Sequence, residues 1–288
     1  MAVLTHAQPS VESYVNFFSR QPMPVLRRTV STFARLAQNV DEITYQDIAS
    51  AVLADPLMTM HLLSHIESHR KDTQNHDIVT VGSAIMMMGI MPFFNAFNDM
   101  LTAEEALASR FQALTGLLRV VARACKAAHY ARDWAILRHD LDVNEITVAA
   151  LLYEAAEMMC WINAPDLTQR VFDMQRADPE LRSAIAQREV FGVTARELQL
   201  ALIRAWRLPK LLVQLLDATQ TNHPRVRTIT LAVDLARHAA HGWNDEALPN
   251  DISKIHTLLR IPSEVLLRHI DAPKETWPVL LSAANPSI

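Results

Sequence analysis

Residues 55–66 read DPLMTMHLLSHI, and this stretch carries a complete signal for the start of an α-helix. Asp55 is an N-cap residue whose side chain can accept hydrogen bonds from the first turn, and Pro56 has the fixed φ that suits the first helical position. Residues 194–197 (TARE) form a capping box, and 142–145 (DVNE) predict the same geometry with Asp as the cap. Elsewhere apolar side chains recur at intervals of three and four, which predicts further helices.

The composition also favours an all-α fold. Five of the 288 residues are glycine, against an average usage of about 7 %, and hairpin turns and phosphate-binding loops both consume glycine.

The formal net charge of −4 gives no electrostatic footprint for nucleic acid or for an anionic membrane. The charge-free stretch 78–98 contains Gly, Pro and Asn residues, so we interpret it as buried core rather than as a membrane helix. The first residues lack the pattern of a secretory signal, and we expect a cytoplasmic protein.

Five short motifs follow one another between about residue 21 and residue 219. They are 21–24 (QPMP), 55–63 (DPLMTMHLL), 81–89 (VGSAIMMMG), 149–154 (AALLYE) and 191–209, which ends in WRLP. In this order they resemble the HDOD family, a bacterial signalling domain related to the HD-type phosphohydrolases. The last motif departs from the family pattern, because Arg207 stands where the family has the glycine of Trp-Gly-Leu-Pro.

The resemblance implies an all-α, HDOD-like fold in two packed lobes with a C-terminal helical extension. We expect the HDOD-like domain at 10–219, its lobes at about 10–102 and 103–219, and the extension at 220–288. Apolar spacing within the domain predicts one long helix over 92–132.

The residues at the HD positions carry the functional argument. HD phosphohydrolases hold a divalent metal through a His, an adjacent His-Asp pair and a distant Asp, and the metal activates water and binds phosphate oxygens. Here the pair position reads Tyr153-Glu154, and Asp234 resembles the last ligand. Tyrosine is a poor ligand unless it is ionised, and its ordinary pKa is about 10. The resemblance therefore implies a regulatory protein that is not an enzyme and has no cofactor.

Two helical faces carry histidines that could be read as metal ligands. The first face presents, at intervals of four, His61, His65 and His69. The second presents Asp234, His238 and His241. Such spacing is compatible with a metal clip, but polar stripes at a surface or interface have the same pattern, and we favour that interpretation. On the second face, a local hydrogen bond between His238 and Asp234 is the simplest expectation.

Two further groups of residues are candidate ligand or partner contacts. Arg119 and Arg123 lie on one helical face and could contact a phosphate group, although a solvated helix face has the same pattern. Met87, Met91 and Phe94 belong to a soft apolar cluster. Such clusters are usually core, but methionine-rich surfaces also accept varied partner helices.

We therefore predict a non-catalytic bacterial signalling module that binds a protein partner or a nucleotide second messenger and does not enter a membrane. One alternative is a residual metal-dependent phosphohydrolase or phosphodiesterase that uses Glu154, Asp234 and nearby histidines. A second is a nucleic-acid binder built on the helix-turn-helix-like segments 44–65 and 194–216. Nucleic acid is disfavoured because 57–60 (LMTM), at the start of a would-be recognition helix, offers no side chain that reads base edges.

Overall fold

The structure is a computed structural model. It describes residues 1–69, 80–178, 180–217, 219 and 223–282. The all-α prediction is confirmed, since these residues form a succession of helices and an isolated parallel bridge joins Val25 to Thr102. Within the same ranges, no helix combines the length and the apolar character that crossing a bilayer requires.

The helices are numbered in chain order. The first seven are α1 (Val11–Phe18), α2 (Arg27–Ala37), α3 (Tyr45–Leu53), α4 (Pro56–Ser68), α5 (Val81–Met88), α6 (Ile90–Ala96) and α7 (Ala103–Ala106). The next seven are α8 (Phe111–Leu137), α9 (Val143–Leu152), α10 (Ala155–Asn163), α11 (Pro165–Ala177), α12 (Ser183–Phe191), α13 (Ala195–Ala205) and α14 (Lys210–Leu216). The last are α15 (Pro224–His238), α16 (Leu248–Leu259), α17 (Ser263–His269) and α18 (Trp277–Ser282), with short 3-10 turns at Ala239–His241 and Lys274–Thr276.

The chain divides into two units. The first unit comprises Met1–Ala122 and Glu154–Gln214, and the second comprises Arg123–Tyr153 and Leu215–Ile288. The long helix α8 contributes its first part to one unit and its last part to the other. The lobe boundaries expected from the sequence stay a prediction.

Asp55 begins α4 as the sequence predicts, and its carboxylate also joins α4 to α2. Oδ1 accepts from the backbone N–H of Leu57 at 2.9 Å, while Oδ2 accepts from the N–H of Leu26 at 2.8 Å and from the hydroxyl of Thr29 at 2.7 Å. The side chain is fully buried. Burial raises the pKa of the Asp55 carboxyl, although these hydrogen bonds act in the opposite direction. One residue thus fixes both the start of α4 and the neighbour against which α4 lies.

The region 92–132, predicted as one helix, is instead divided among α6, α7 and the start of α8. Thr102 and Glu105 form a capping box that starts α7. The N–H of Ala103 donates to the carbonyl of Val25 at 2.7 Å, so the backbone here is bound to the segment that precedes α2. A continuous helix would use that N–H group internally, which explains why the prediction was wrong. The capping box was the sequence signal for the break.

The two other predicted helix starts have different outcomes. The capping box of Thr194 and Glu197 is present at the start of α13. Asp142 is the N-cap residue of α9, but its side chain makes no capping hydrogen bond. The Asp142 carboxylate binds the guanidinium of Arg225 instead. A charged partner far away in the sequence therefore overrides the local capping pattern.

Helix α15 organises the second unit, because it packs against both α9 and α16. Its apolar face is fully enclosed, as the burial of Ile229 and Leu235 shows, and Ile252 and Ile255 of α16 are buried as well. The polar side chains of α15 consequently lie on a helix whose position is fixed by packing.

Candidate functional site

The Tyr153–Glu154 pair lies in the short turn between α9 and α10. The N–H of Tyr153 donates to the carbonyl of Ala150 at 3.4 Å and closes α9. Glu154 is buried, with 6 % of its surface exposed, and it does not cap α10 with its side chain. The N–H of Ala156 is satisfied by Oε1 of Gln199, at 2.6 Å, from α13. A phenol and a buried carboxylate thus occupy the positions at which the sequence places the HD pair.

Asp234 lies in the middle of α15, half-buried. Burial is the main cause that raises the pKa of its carboxyl, and the carboxylate of Asp251 acts in the same direction. The cationic groups of Arg237, Lys254 and His238 oppose this rise. The electrostatic environment of Asp234 is therefore a mixed set of charges from its own unit.

His238 binds a carboxylate that the sequence did not indicate. Its Nδ1 atom lies 2.5 Å from Oδ2 of Asp251, a residue that is 3 % exposed. This hydrogen bond is the main cause that raises the pKa of His238, and the nearby carboxylates of Asp245 and Asp234 add to it. The prediction that His238 bonds to Asp234 is wrong, because the packing of α16 on α15 brings the Asp251 carboxylate to the imidazole of His238. The side chain of His241 lies outside the described part of the structure.

The histidines of α4 surround an aromatic ring. The rings of His61 and His65 both meet Phe97 edge-on, with centroids 5.3 and 5.2 Å away, and His65 stacks on His69 at 4.2 Å. Burial lowers the pKa of His61 from 6.5 to about 4, and the adjacent His65 contributes in the same direction. Burial also lowers the pKa of His65, with His69 as the second cause.

The structure allows a direct check of ligand geometry. Throughout the described ranges, no three side chains of His, Cys, Asp or Glu come together in an arrangement that could hold a metal ion. In those ranges, possible ligands meet only in pairs at the two predicted faces: His61 and His65 of α4 lie against the same Phe97 ring, and His238 of α15 binds Asp251 of α16.

The two predicted arginine contacts fall in different units. The guanidinium carbon of Arg119, in the first unit, lies 5.8 Å from the centroid of the Phe172 ring of α11. A cation–π contact of this kind leaves the edge of the guanidinium able to donate hydrogen bonds. Arg123 belongs to the second unit and is half-buried.

The methionine surface, defined as Met86, Met87 and Met91, lies on α5 and α6. These three side chains are 62, 49 and 54 % exposed, respectively. Gly89, with φ +84°, makes the corner between the two helices. Phe94 is half-buried and meets Phe33 and Phe93 edge-on, so its ring packs on other aromatic rings and is less exposed than the three methionines. All three methionines belong to the apolar cluster predicted from the sequence, in which Met87 and Met91 were the predicted contacts.

The comparisons with known proteins agree on the fold. The HDOD domain family matches residues 23–222 of this chain. A response regulator, MmoQ of Methylococcus capsulatus str. Bath, superimposes with a TM-score of 0.65 at 18 % identity, covering 87 % of this chain and 98 % of that one. A virulence factor of Campylobacter jejuni subsp. jejuni gives a TM-score of 0.61 at 19 % identity, covering 96 % and 97 %. None of the curated proteins is a match to this sequence.

Proposed function

The chain belongs to the HDOD family, and from that premise we propose that it is a non-catalytic signalling module that acts in the cytoplasm of a bacterium by binding a protein partner. A signalling role is supported by the structural neighbour that is named a response regulator. The two parts of the proposal, absence of catalysis and partner binding, rest on different residues and are tested separately.

The observation that carries the proposal is the chemistry of the Tyr153–Glu154 turn. Hydrolysis of a phosphate ester in an HD site needs imidazole and carboxylate ligands that hold a metal and lower the pKa of its bound water. A neutral phenol oxygen is a much weaker metal ligand than an imidazole nitrogen, because tyrosine binds a metal well only when it is ionised and its ordinary pKa is about 10. Asp234 retains a carboxylate, but the nearby imidazole, that of His238, is hydrogen-bonded to Asp251. These residues favour a protein that keeps the helical fold of the HD phosphohydrolases but lacks the side chains for their metal-dependent hydrolysis.

Partner binding is assigned to the methionine surface in the first unit. Met86, Met87 and Met91 are exposed on consecutive helices, and the sequence holds no charged residue between Asp77 and Asp99. Flexible thioether side chains adapt to the shape of an apolar partner helix at low cost. This surface therefore has the chemistry of a site for an amphipathic helix.

Absence of catalysis can be tested with the purified full chain. We expect no hydrolysis of bis(p-nitrophenyl) phosphate or of cyclic dinucleotides with Mg²⁺, Mn²⁺ or Fe²⁺. Metal-dependent turnover that is lost in Glu154→Ala and Asp234→Asn, but kept in the exposed control Glu42→Ala, would establish the phosphohydrolase alternative instead.

Partner binding can be tested with a photo-crosslinking amino acid at position 91. The matched control is position 185, because Ile185 is also apolar, also in the first unit and 55 % exposed. We expect a protein adduct at 91 and none at 185. The partner, once purified, should bind Met87→Glu about tenfold more weakly than the unmodified chain. Equal adducts at both positions would remove the methionine surface from the proposal.

The remaining alternatives have their own tests. A nucleic-acid binder built on segment 44–65 would have to present the start of α4 to a groove, yet Leu57, Met58 and Met60 are fully buried there. We expect no retention on duplex DNA at low salt. A nucleotide second messenger would use Arg119 or Arg123, so calorimetric titration of a cyclic dinucleotide into the wild-type chain, Arg119→Ala and Arg123→Ala decides that case.

A further inference from the structure

Leu141 stands at the tip of the turn between α8 and α9, in the second unit, with 94 % of its surface exposed. Two aliphatic side chains of the last turn of α8 are also exposed, Ile136 by 51 % and Leu137 by 37 %. We call these three residues the leucine knob. A single exposed leucine on a flexible loop would need no explanation. An exposed leucine on a fixed turn is different, because the backbone then holds it in water.

The backbone of the turn is held by two local motifs. His139 has φ +53°, and the N–H of Asp140 donates to the carbonyl of Ala135 at 2.9 Å, which is the closing bond of a Schellman motif. One residue beyond the knob, the N–H of Asp142 donates to Oδ1 of Asp140 at 3.0 Å. Both flanks of Leu141 are therefore defined by hydrogen bonds.

One arginine then binds both neighbours of Leu141. Arg225, at the start of α15, reaches the two carboxylate oxygens of Asp140 with Nε at 3.1 Å and Nη2 at 3.0 Å, and its Nη1 atom binds the carboxylate of Asp142. A bidentate arginine–carboxylate pair fixes orientation as well as distance. Arg138 adds a second attachment to α15 by donating to the hydroxyl of Thr228 at 2.7 Å.

This arrangement fixes a leucine in water rather than in the core. The polar bonds that hold the turn come from the residues around Leu141, so a polar side chain at this position would leave every one of them intact. An apolar side chain on a backbone that is already fixed loses less conformational freedom on association than one on a flexible loop, which strengthens binding. The turn thus has the properties of a preorganised anchor.

The charges around the knob decide what it fits. The segment 138–145 together with Arg225 contains three carboxylates and two guanidinium groups, which leaves a net charge of −1. Among the three ion-paired side chains next to Leu141, Asp142 is the most exposed, at 37 % against 29 % for Arg225 and 12 % for Asp140. An anionic membrane would repel this rim, and a second copy would bring the same excess of negative charge against it.

We propose that the leucine knob is a second interaction surface, which inserts Leu141 into an apolar pocket with lysine or arginine at its rim on a different, folded protein. The inference goes beyond the proposed function, because it concerns another unit and another kind of partner surface than the methionine surface does.

The test uses the full chain in its native cells, with a photo-crosslinking amino acid at position 141 and, as the matched control, at position 265. Val265 is apolar, lies in the same unit and is 38 % exposed. We expect an adduct at 141 whose crosslinked peptide, mapped by mass spectrometry, lies in an apolar pocket bordered by Lys or Arg. An adduct with a second copy of this chain, an adduct with lipid, or no adduct above that at 265 would overturn the proposal.

Binding of the identified protein, after purification, gives the quantitative part of the test. Leu141→Asp should raise Kd about tenfold or more, and about 0.5 M NaCl should weaken binding further through screening of the basic rim.

Leu141→Ser should leave the melting temperature unchanged, because the side chain is outside the core. Arg225→Ala, which frees the turn while keeping Leu141, should weaken binding as well. Unchanged affinity in Leu141→Asp would refute the proposal, whatever the result at the methionine surface.

Discussion

His61 is a half-buried ionisable side chain whose neutral form the fold favours. Among the described residues, its Nδ1 atom is buried and has no hydrogen-bond partner, and its ring packs against Phe97. Burial, with a smaller contribution from His65, lowers the pKa of the imidazole from 6.5 to about 4. Charging this ring therefore costs the folded state more than it costs the unfolded chain.

Acidification is expected to destabilise the protein through His61. The unfolded chain takes up a proton near pH 6.5, whereas the folded chain takes it up only near pH 4, so this contribution to stability is present above pH 6.5 and is lost as the pH falls towards 4. Down to about pH 5 the loss amounts to about 2 kcal/mol. His61→Leu should flatten this part of the curve in urea unfolding, while the exposed control His6→Gln should not. Identical curves for wild type and His61→Leu would contradict the assignment.

Gly116 and Gly82 should respond in opposite directions to the same substitution. Both lie in helices, where alanine is normally better by about 0.5–1 kcal/mol. A Cβ atom at Gly116 would lie 2.5 Å from Cζ2 of Trp161, whereas a Cβ at Gly82 would meet no atom of the described residues within 4 Å. We expect Gly116→Ala to lower the free energy of unfolding by about 2 kcal/mol through overpacking, and Gly82→Ala to raise it. Chemical denaturation checks both, and a gain in both would show that the Trp161 ring moves aside.

At the scale of helices, the sequence predicts starts better than ends. Starts at Asp55 and Thr194 depend on side chains within the first turn, so the local pattern is sufficient. Ends are different, because among the described residues several helices close on a non-glycine residue in the left-handed region. These residues are His139, Arg207, Arg260 and Asp271. Glycine is the usual sequence signal for a helix end, and this chain has few glycines. Tertiary packing beyond each helix end therefore decides which residue adopts the left-handed conformation.

Arg207 allows a test of what such a helix end costs. It ends α13 at φ +54°, with the N–H of Leu208 bonded to the carbonyl of Ile203 at 2.9 Å. The left-handed conformation costs a non-glycine residue about 1–2 kcal/mol. Glycine avoids this cost, but part of the gain is lost because glycine also increases the conformational entropy of the unfolded chain. We expect Arg207→Gly to stabilise the protein by about 0.5–1 kcal/mol. The matched control Arg204→Gly, three residues earlier within the helix, should destabilise it by about 1 kcal/mol. A loss of stability in both would indicate that the Arg207 side chain has a structural role.

For the molecule as a whole, residues that act together are found from sequence only when they are close along the chain or belong to a known motif. The position of Tyr153 and Glu154 followed from the family motif. The bond between His238 and Asp251 spans thirteen residues, and that between Arg225 and Asp140 spans eighty-five. No periodicity links such pairs, because helix packing in the second unit brings them together. The leucine knob was invisible for the same reason, since its importance depends on Arg225.

The distribution of ligand types over the whole chain leads to a prediction about metal ions. Tyr153 and Asp234 belong to the second unit and Glu154 to the first, and none of these positions offers an imidazole. A cation present at ten times its Kd would add about 1.4 kcal/mol to stability, which would raise Tm by about 2–3 °C for a chain of this size. We expect a smaller change than this with Mn²⁺, Fe²⁺ or Zn²⁺, and the same Tm after dialysis against EDTA. A saturable increase in Tm that disappears in both Glu154→Ala and Asp234→Asn would instead place a cation at the HD position, and the regulatory interpretation would then have to include a metal-bound state.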